Sequence, residues 1–329
     1  MKTILLGRQP HNGRRGFTIL EVLVASTVLI LILGVVLSII SQTSTVTRRA
    51  TDKISSFQAA RAAFDLISQN LSQATLNSYW DYDNPNAPTR YLRKSELHFL
   101  IGNAGTAPFG GTAGTGQAVY FQAPSGVTAI PATYGGLEAL LNAVGYFISY
   151  GDEDSLPSPF PAPSPKYRYR LMQAVQPTEN LAVYSNTTGN AWVSSANSLA
   201  VPVAENIVYM AAWPRKSPAD DAEGSVLTSN FSYDSRLNAT ISPQPETANQ
   251  MPPVIQVTIV AIDETSAARI CTDPSVPAKI SSAVSGLFLA SSKTQFDADL
   301  VLLENRLGGS GINFRVFTAM VPIRESKMQ

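Results

Sequence analysis

The sequence predicts an α+β protein: a long hydrophobic N-terminal helix packed, through its second half, on a β-rich C-terminal domain. Three observations carry this reading. Residues 17–40 form an almost unbroken apolar run. Residues 54–74 repeat apolar side chains at steps of three and four, the signature of one helix face. Beyond Trp80, short β-branched and aromatic runs alternate with clusters of Gly, Pro, Asn and Ser, as strands alternate with turns.

The first 16 residues carry Lys2, Arg8, Arg14 and Arg15 and no acid. Residues 17–40 follow, 24 positions of which 18 are apolar and only Glu21 is charged. As a helix this stretch spans roughly 36 Å, enough to cross a hydrocarbon core of about 30 Å. Eighteen apolar side chains at a few tenths of a kcal/mol each outweigh the roughly 3 kcal/mol cost of one carboxylate, so the segment is expected to insert. The basic flank predicts a cytoplasmic N-terminus, with everything after Ser41 on the other side. A cleaved secretory signal has a shorter apolar region and a small-x-small site, which Ser41-Gln42-Thr43 does not resemble. A plain membrane anchor explains the run but gives Glu21 no role. A buried core helix fits neither the length nor the basic flank.

Residues 41–79 are expected to continue the helix. After a polar stretch, apolar residues recur at Ile54, Phe57, Ala60, Phe64, Ile67, Leu71 and Ala74, and no proline occurs between Gly16 and Pro85. One helix from about residue 17 to about residue 76 would be roughly 90 Å long. A dimeric coiled-coil seam is the rival, but the run is shorter than four heptads.

Residues 80–329 read as a β-rich extracytoplasmic domain. Strands are predicted at 96–101, 118–122, 144–150, 167–175, 181–184, 207–213, 254–262 and 313–321. Tyr167-Arg168-Tyr169-Arg170-Leu171 and Ile255-Gln256-Val257-Thr258-Ile259 alternate as half-exposed strands do. Long loops are expected at 102–116 (Gly, Thr and Ala), 156–165 (five prolines), 214–224 and 242–253. A short helix is expected at 296–307, stopped by Gly308-Gly309.

The order of residues at the start is specific. Arg14-Arg15-Gly16-Phe17-Thr18-Ile19-Leu20-Glu21-Val22-Leu23 resembles the processing site of type IV pilin-like prepilins. The resemblance implies cleavage after Gly16 by a prepilin peptidase, N-methylation of the new terminal Phe17, and an assembly role for Glu21 at mature position five. Arg14 and Arg15 then belong to a basic leader, residues 1–16. It also implies the architecture, since pilin-like proteins use such an extended helix as a spine. Physical chemistry agrees with these roles. A glycine offers an accessible, side-chain-free peptide bond, and a carboxylate beside a hydrocarbon environment can pair with the ammonium that cleavage creates. The alternative for Glu21 is a carboxylate that merely snorkels to the interface.

Further along, Gln117-Ala118-Val119-Tyr120-Phe121-Gln122-Ala123-Pro124, then Val144-Gly145-Tyr146-Phe147 and Tyr169-Arg170-Leu171, resemble J-type minor pseudopilins of type II secretion and the related W-type minor pilins. Arg170-Leu171-Met172 through Pro177-Thr178-Glu179-Asn180-Leu181, Glu205-Asn206-Ile207-Val208, Asn313-Phe314-Arg315-Val316-Phe317 and Val321-Pro322-Ile323-Arg324 are similar to the Verru_Chthon cassette protein C family. What the resemblance implies is a structural subunit of the bacterial inner membrane, single-pass, with its C-terminal domain in the periplasm. Its expected partners are the prepilin peptidase, other pilin-like subunits, the inner-membrane assembly platform and the lipid bilayer. It would serve a short envelope filament for secretion, DNA uptake or adhesion. A non-polymerising, membrane-anchored extracytoplasmic binding module is the alternative.

The rest of the chain points to no enzyme. With 24 basic and 24 acidic side chains and only 15% charged residues, no basic surplus marks a nucleic-acid binder. Cys271 is the single cysteine, which excludes an intrachain disulfide and a Cys-rich zinc site. His11 and His98 are the only histidines, and His98 is expected in mid-strand as a satisfied or surface residue. No G-x-S-x-G, no H-E-x-x-H and no phosphate-binding glycine loop occurs. Asp81-Tyr82-Asp83-Asn84, Asp152-Glu153-Asp154 and Asp220-Asp221-Ala222-Glu223-Gly224 offer oxygens but no EF-hand spacing, so solvated loops are expected and no metal or cofactor. Loss of residues 1–16 would remove four basic groups and no acid, leaving 20 against 24.

Overall fold

A computed structural model describes residues 18–111, 113–152, 166–185, 189–217, 221, 227–228, 230–289 and 292–328. The chain divides into two compact units, Met1–Thr51 and Asp52–Gln329. The architecture is α+β, with one long apolar helix at the N-terminal end and a β-rich remainder.

Helix α1 runs from Ile19 to Ser72 without a break. In the first unit it is a single apolar rod. The segment Ile19–Thr47 contains an 18-residue window of mean hydropathy 2.9, none of it buried, and is long and apolar enough to cross a membrane. In the second unit its last turns carry the stripe that the spacing predicts. Ala60, Phe64, Ile67 and Leu71 are buried, joined by Ala63, and Ala74 is buried just past the end of the helix. Ile54 is the exception at 58% exposed: it lies on the rim of a groove with Phe57, Phe314 and Phe317, before the buried stretch begins. The helix ends at Ser72, short of the expected residue 76, and Thr75 already bridges to Gln122.

The remaining elements follow in chain order: β1 (Tyr79–Tyr82), β2 (Tyr91–Lys94), β3 (Leu100–Asn103), β4 (Gln117–Pro124), α2 (Pro131–Tyr134), β5 (Leu141–Gly151), β6 (Arg168–Gln176), α3 (Ala191–Asn197), β7 (Val201–Glu205), β8 (Ile207–Arg215), β9 (Tyr233–Asp234), β10 (Val254–Ile262), α4 (Glu264–Ile270), α5 (Ala278–Val284), α6 (Lys293–Gly309) and β11 (Phe314–Pro322). They form an antiparallel six-stranded sheet of order β7-β6-β5-β4-β3-β9, a three-stranded sheet β11-β10-β8, and a separate β1-β2 hairpin. The two larger sheets share one core. The Gln117 Oε1 of β4 accepts from the Ala212 N–H of β8 at 2.7 Å, and Thr115 donates its hydroxyl to the Val208 carbonyl at 2.9 Å. The stripe of α1 enters the same core: Phe64 meets Phe317 of β11 at 6.2 Å between ring centroids, and Asn70 donates to the Tyr146 hydroxyl of β5 at 2.6 Å.

Several expected elements shift. Residues 181–184 are not a strand. Ser185 N–H closes on the Ala182 carbonyl and Ala182 N–H is taken by the Gln176 side chain, so the backbone groups a ladder would need are spent in a turn. The expected strand at 96–101 begins only at Leu100, because Ser95 and Asn77 side chains hold the N–H of Leu97, and Gln122 holds that of His98. Helix α6 runs through both Gly308 and Gly309 before ending at Ser310. The proline-rich loop at 156–165 lies outside the described residues.

Candidate functional site

The site predicted from the sequence lies at the N-terminus. Of its predicted residues, Gly16, Phe17, Arg14 and Arg15 lie outside the described residues, and Glu21 lies within them. Glu21 sits in the first turn of α1 with its side chain exposed. The Thr18 Oγ1 accepts from the Glu21 N–H at 3.3 Å, and the Thr18 carbonyl accepts from the N–H groups of Glu21 and Val22, each at 3.1 Å. Thr18 is thus a helix cap and Glu21 stands three residues beyond it, the Thr-x-x-Glu spacing of a capping box. The sequence carried this second signal beside the processing motif: the same carboxylate lies at the positive end of the helix dipole. Among the described residues Glu21 has no ion-pair partner.

Of the acidic clusters, Asp81 and Asp83 lie in the described β1-β2 hairpin. Asp83 ties the hairpin, accepting from the N–H groups of Asn84 and Thr89 at 2.9 Å and of Arg90 at 3.2 Å, and from the Thr89 hydroxyl. The Thr89 bonds, foremost, hold its carboxyl far below the usual range. Asp81 is bound by Lys94 at 2.8 Å. Glu153, Asp154, Asp220 and Glu223 lie outside the described residues. No group of three or more His, Cys, Asp or Glu among the described residues is placed to hold an ion.

His98 is fully buried just before β3, not in mid-strand. Its Nδ1 accepts from the Trp192 indole N–H at 3.0 Å, which leaves Nε2 to donate to Asp234 at 2.7 Å. Both ring nitrogens are committed, so neither is open to take a proton from a substrate. Burial pushes the His98 pKa down, against the pull of Asp234. Cys271 is buried, and burial pushes its thiol up to about 11, which fits an inert side chain.

A buried polar lock was not foreseen from the sequence. Arg168 of β6, with a side chain 4% exposed, donates to Glu264 Oε1 at 2.6 Å, and Asn206 donates to Glu264 Oε2 at 2.8 Å. Burial opposes ionisation of Glu264, yet these bonds and the guanidinium charge hold its carboxyl below the usual range. Asn206 sits at φ 63° between β7 and β8, its N–H on the Tyr169 carbonyl and its carbonyl on the Ile262 N–H. The lock pins β6, the β7-β8 turn and α4 together. Only Asn206, as a residue type that tolerates left-handed backbone, signalled it in the sequence. Comparison with family models, curated proteins and solved structures returns no match to this chain.

Proposed function

We propose that this chain is a pilin-like prepilin subunit of the minor pseudopilin kind. It is cut after Gly16 by a prepilin peptidase, N-methylated on Phe17 and stored in the inner membrane. It is then assembled with other pilin-like subunits on an inner-membrane platform into a short envelope filament, serving secretion, DNA uptake or adhesion. The observation that carries this reading is Arg14-Arg15-Gly16-Phe17 followed by a lone carboxylate, Glu21, at the head of an otherwise uncharged apolar helix. A simple anchor needs no charge there, and a carboxylate facing hydrocarbon persists where something repays its desolvation. The ammonium of a processed neighbour is such a partner. The apolar rod of α1 then serves twice, as anchor before assembly and as packing element after it. The buried stripe at residues 60–74 fixes a β-rich domain to the same helix.

Glu21→Gln tests this cleanly, because glutamine keeps the capping-box chemistry while removing the charge. The variant should reach the membrane fraction in wild-type amount but fail to cross-link into higher-order species with its sister subunits. Wild-type assembly of Glu21→Gln would overturn the proposed role. A wild-type chain that never forms such species would favour the non-polymerising binding module.

A further inference from the structure

A cleft of about 600 Å³ opens in the β-rich domain between the start of β4 and the segment after α5, within the size range of small-molecule sites. No charged side chain lines it among the described residues. Its polar lining has a consistent sense. Asn103, Gln117 and Asn230 each have their carboxamide oxygen held by a backbone N–H: Gly105 at 2.8 Å, Ala212 at 2.7 Å and Ser232 at 3.1 Å. That orientation leaves three NH2 groups without a partner among the described residues. The hydroxyl oxygens of Thr115 and Ser285 add acceptors on the same lining.

The walls are closely packed. Gly116 stands at φ +72°, and a Cβ there would fall 2.2 Å from the Met210 carbonyl oxygen, so that wall is set by backbone against backbone. On the other side Phe288 is held at φ 55°, an uncommon conformation for a bulky residue. Its N–H is fixed on the buried Asp299 carboxylate at 2.7 Å, and its ring is wedged between Tyr209 and Phe296. Strain of this kind survives where the surroundings over-determine it, and it clusters at ligand clamps.

We propose that this cleft binds an uncharged saccharide. An anionic ligand would meet no cation on the lining and a cationic one no carboxylate. A wholly apolar ligand would leave three amide donors dry. Sugar hydroxyls both donate and accept, and so match fixed NH2 donors interspersed with hydroxyl oxygens, whereas a peptide main chain imposes its own fixed alternation. The proposal is independent of the prepilin reading, since none of these residues lies in α1.

The test uses the full chain in a micelle of a sugar-free detergent, titrated with maltotriose, triacetylchitotriose, trigalacturonate and an end-blocked Gly-Ser-Gly-Ser-Gly peptide. Saturable binding of at least one neutral trisaccharide is expected, tighter than that of the acidic trimer or the peptide. Asn103→Asp and Asn230→Asp keep the oxygen that each backbone N–H uses and remove the free donor. Each should weaken binding about tenfold or more while leaving the melting temperature unchanged. Leu289→Arg, on the exposed rim, should weaken it too, and serves if either Asp variant fails to fold. Failure of both neutral trisaccharides to bind, wild-type affinity in the variants, or preference for the acidic trimer would overturn the proposal. Preference for the peptide would assign the cleft to a polypeptide and overturn it equally.

Discussion

Replacing Ile67 with alanine should destabilise the β-rich domain, although alanine is the better helix former. Ile67 is 1% exposed on the face of α1 that joins the core, beside Phe64 and Leu71. Its truncation removes three carbons at about 0.8 kcal/mol each and leaves a cavity, for a total of about 2–4 kcal/mol. In a domain of this size that corresponds to a fall in Tm of roughly 3–7 °C. Ile54→Ala makes the same chemical change in the same helix, at a position 58% exposed, and should cost under about 1 kcal/mol. Both variants gain the same helix propensity, so the difference between them isolates tertiary burial. Tryptophan fluorescence during thermal unfolding is a suitable readout, because Trp192 and Trp213 are both in the core. Equal melting temperatures for the two variants would refute the packing of this stripe.

Three further outcomes follow from the polar core. Glu264→Ala strands the buried Arg168 and should cost about 3–5 kcal/mol in denaturant titration, while Arg168→Met combined with Glu264→Leu should cost less than the single change. Stability should fall with acid in a window set first by His98. Its folded pKa is depressed, so the unfolded chain binds the extra proton, and stability present above about pH 6.5 is lost as pH drops, at up to about 1.4 kcal/mol per pH unit. Burial of the ring is the cause, and a proton on Nδ1 would also face the Trp192 N–H. His98→Gln should flatten that limb of the pH–stability curve, and an unchanged slope would contradict the assignment. Cys271 should resist iodoacetamide at pH 8 in the folded chain and react after unfolding, as read by mass.

Where one physical signal dominated, the fold was legible in the sequence. The three- and four-residue steps at Ala60, Phe64, Ile67 and Leu71 located the buried face of α1, and apolar runs located β4, β5, β6, β8, β10 and β11. Elements made by tertiary contact were not legible. The β1-β2 hairpin hid behind an apparent acidic loop, because Asp81 and Asp83 serve as a salt-bridge partner and a turn clamp. Helices α3, α4 and α5 are seven residues each, too short to carry a period of their own. For α4 a signal was available, since Asp263 caps it by accepting from the Ser266 N–H. At the candidate site, Glu21 stood out because it is the one charge in an apolar run. The cap made by Thr18 was equally available as a spacing but was masked by the stronger motif around it. The Arg168–Asn206–Glu264 lock joins residues far apart in the chain, and no local pattern announces it.

The central claim rests on the bond between Gly16 and Phe17, and mass spectrometry of the N-terminus of the chain isolated from its own cells tests it most directly. The account predicts a mature chain that begins at N-methyl-Phe17, with residues 1–16 absent. A chain that retains residues 1–16, or one cut elsewhere, would contradict it.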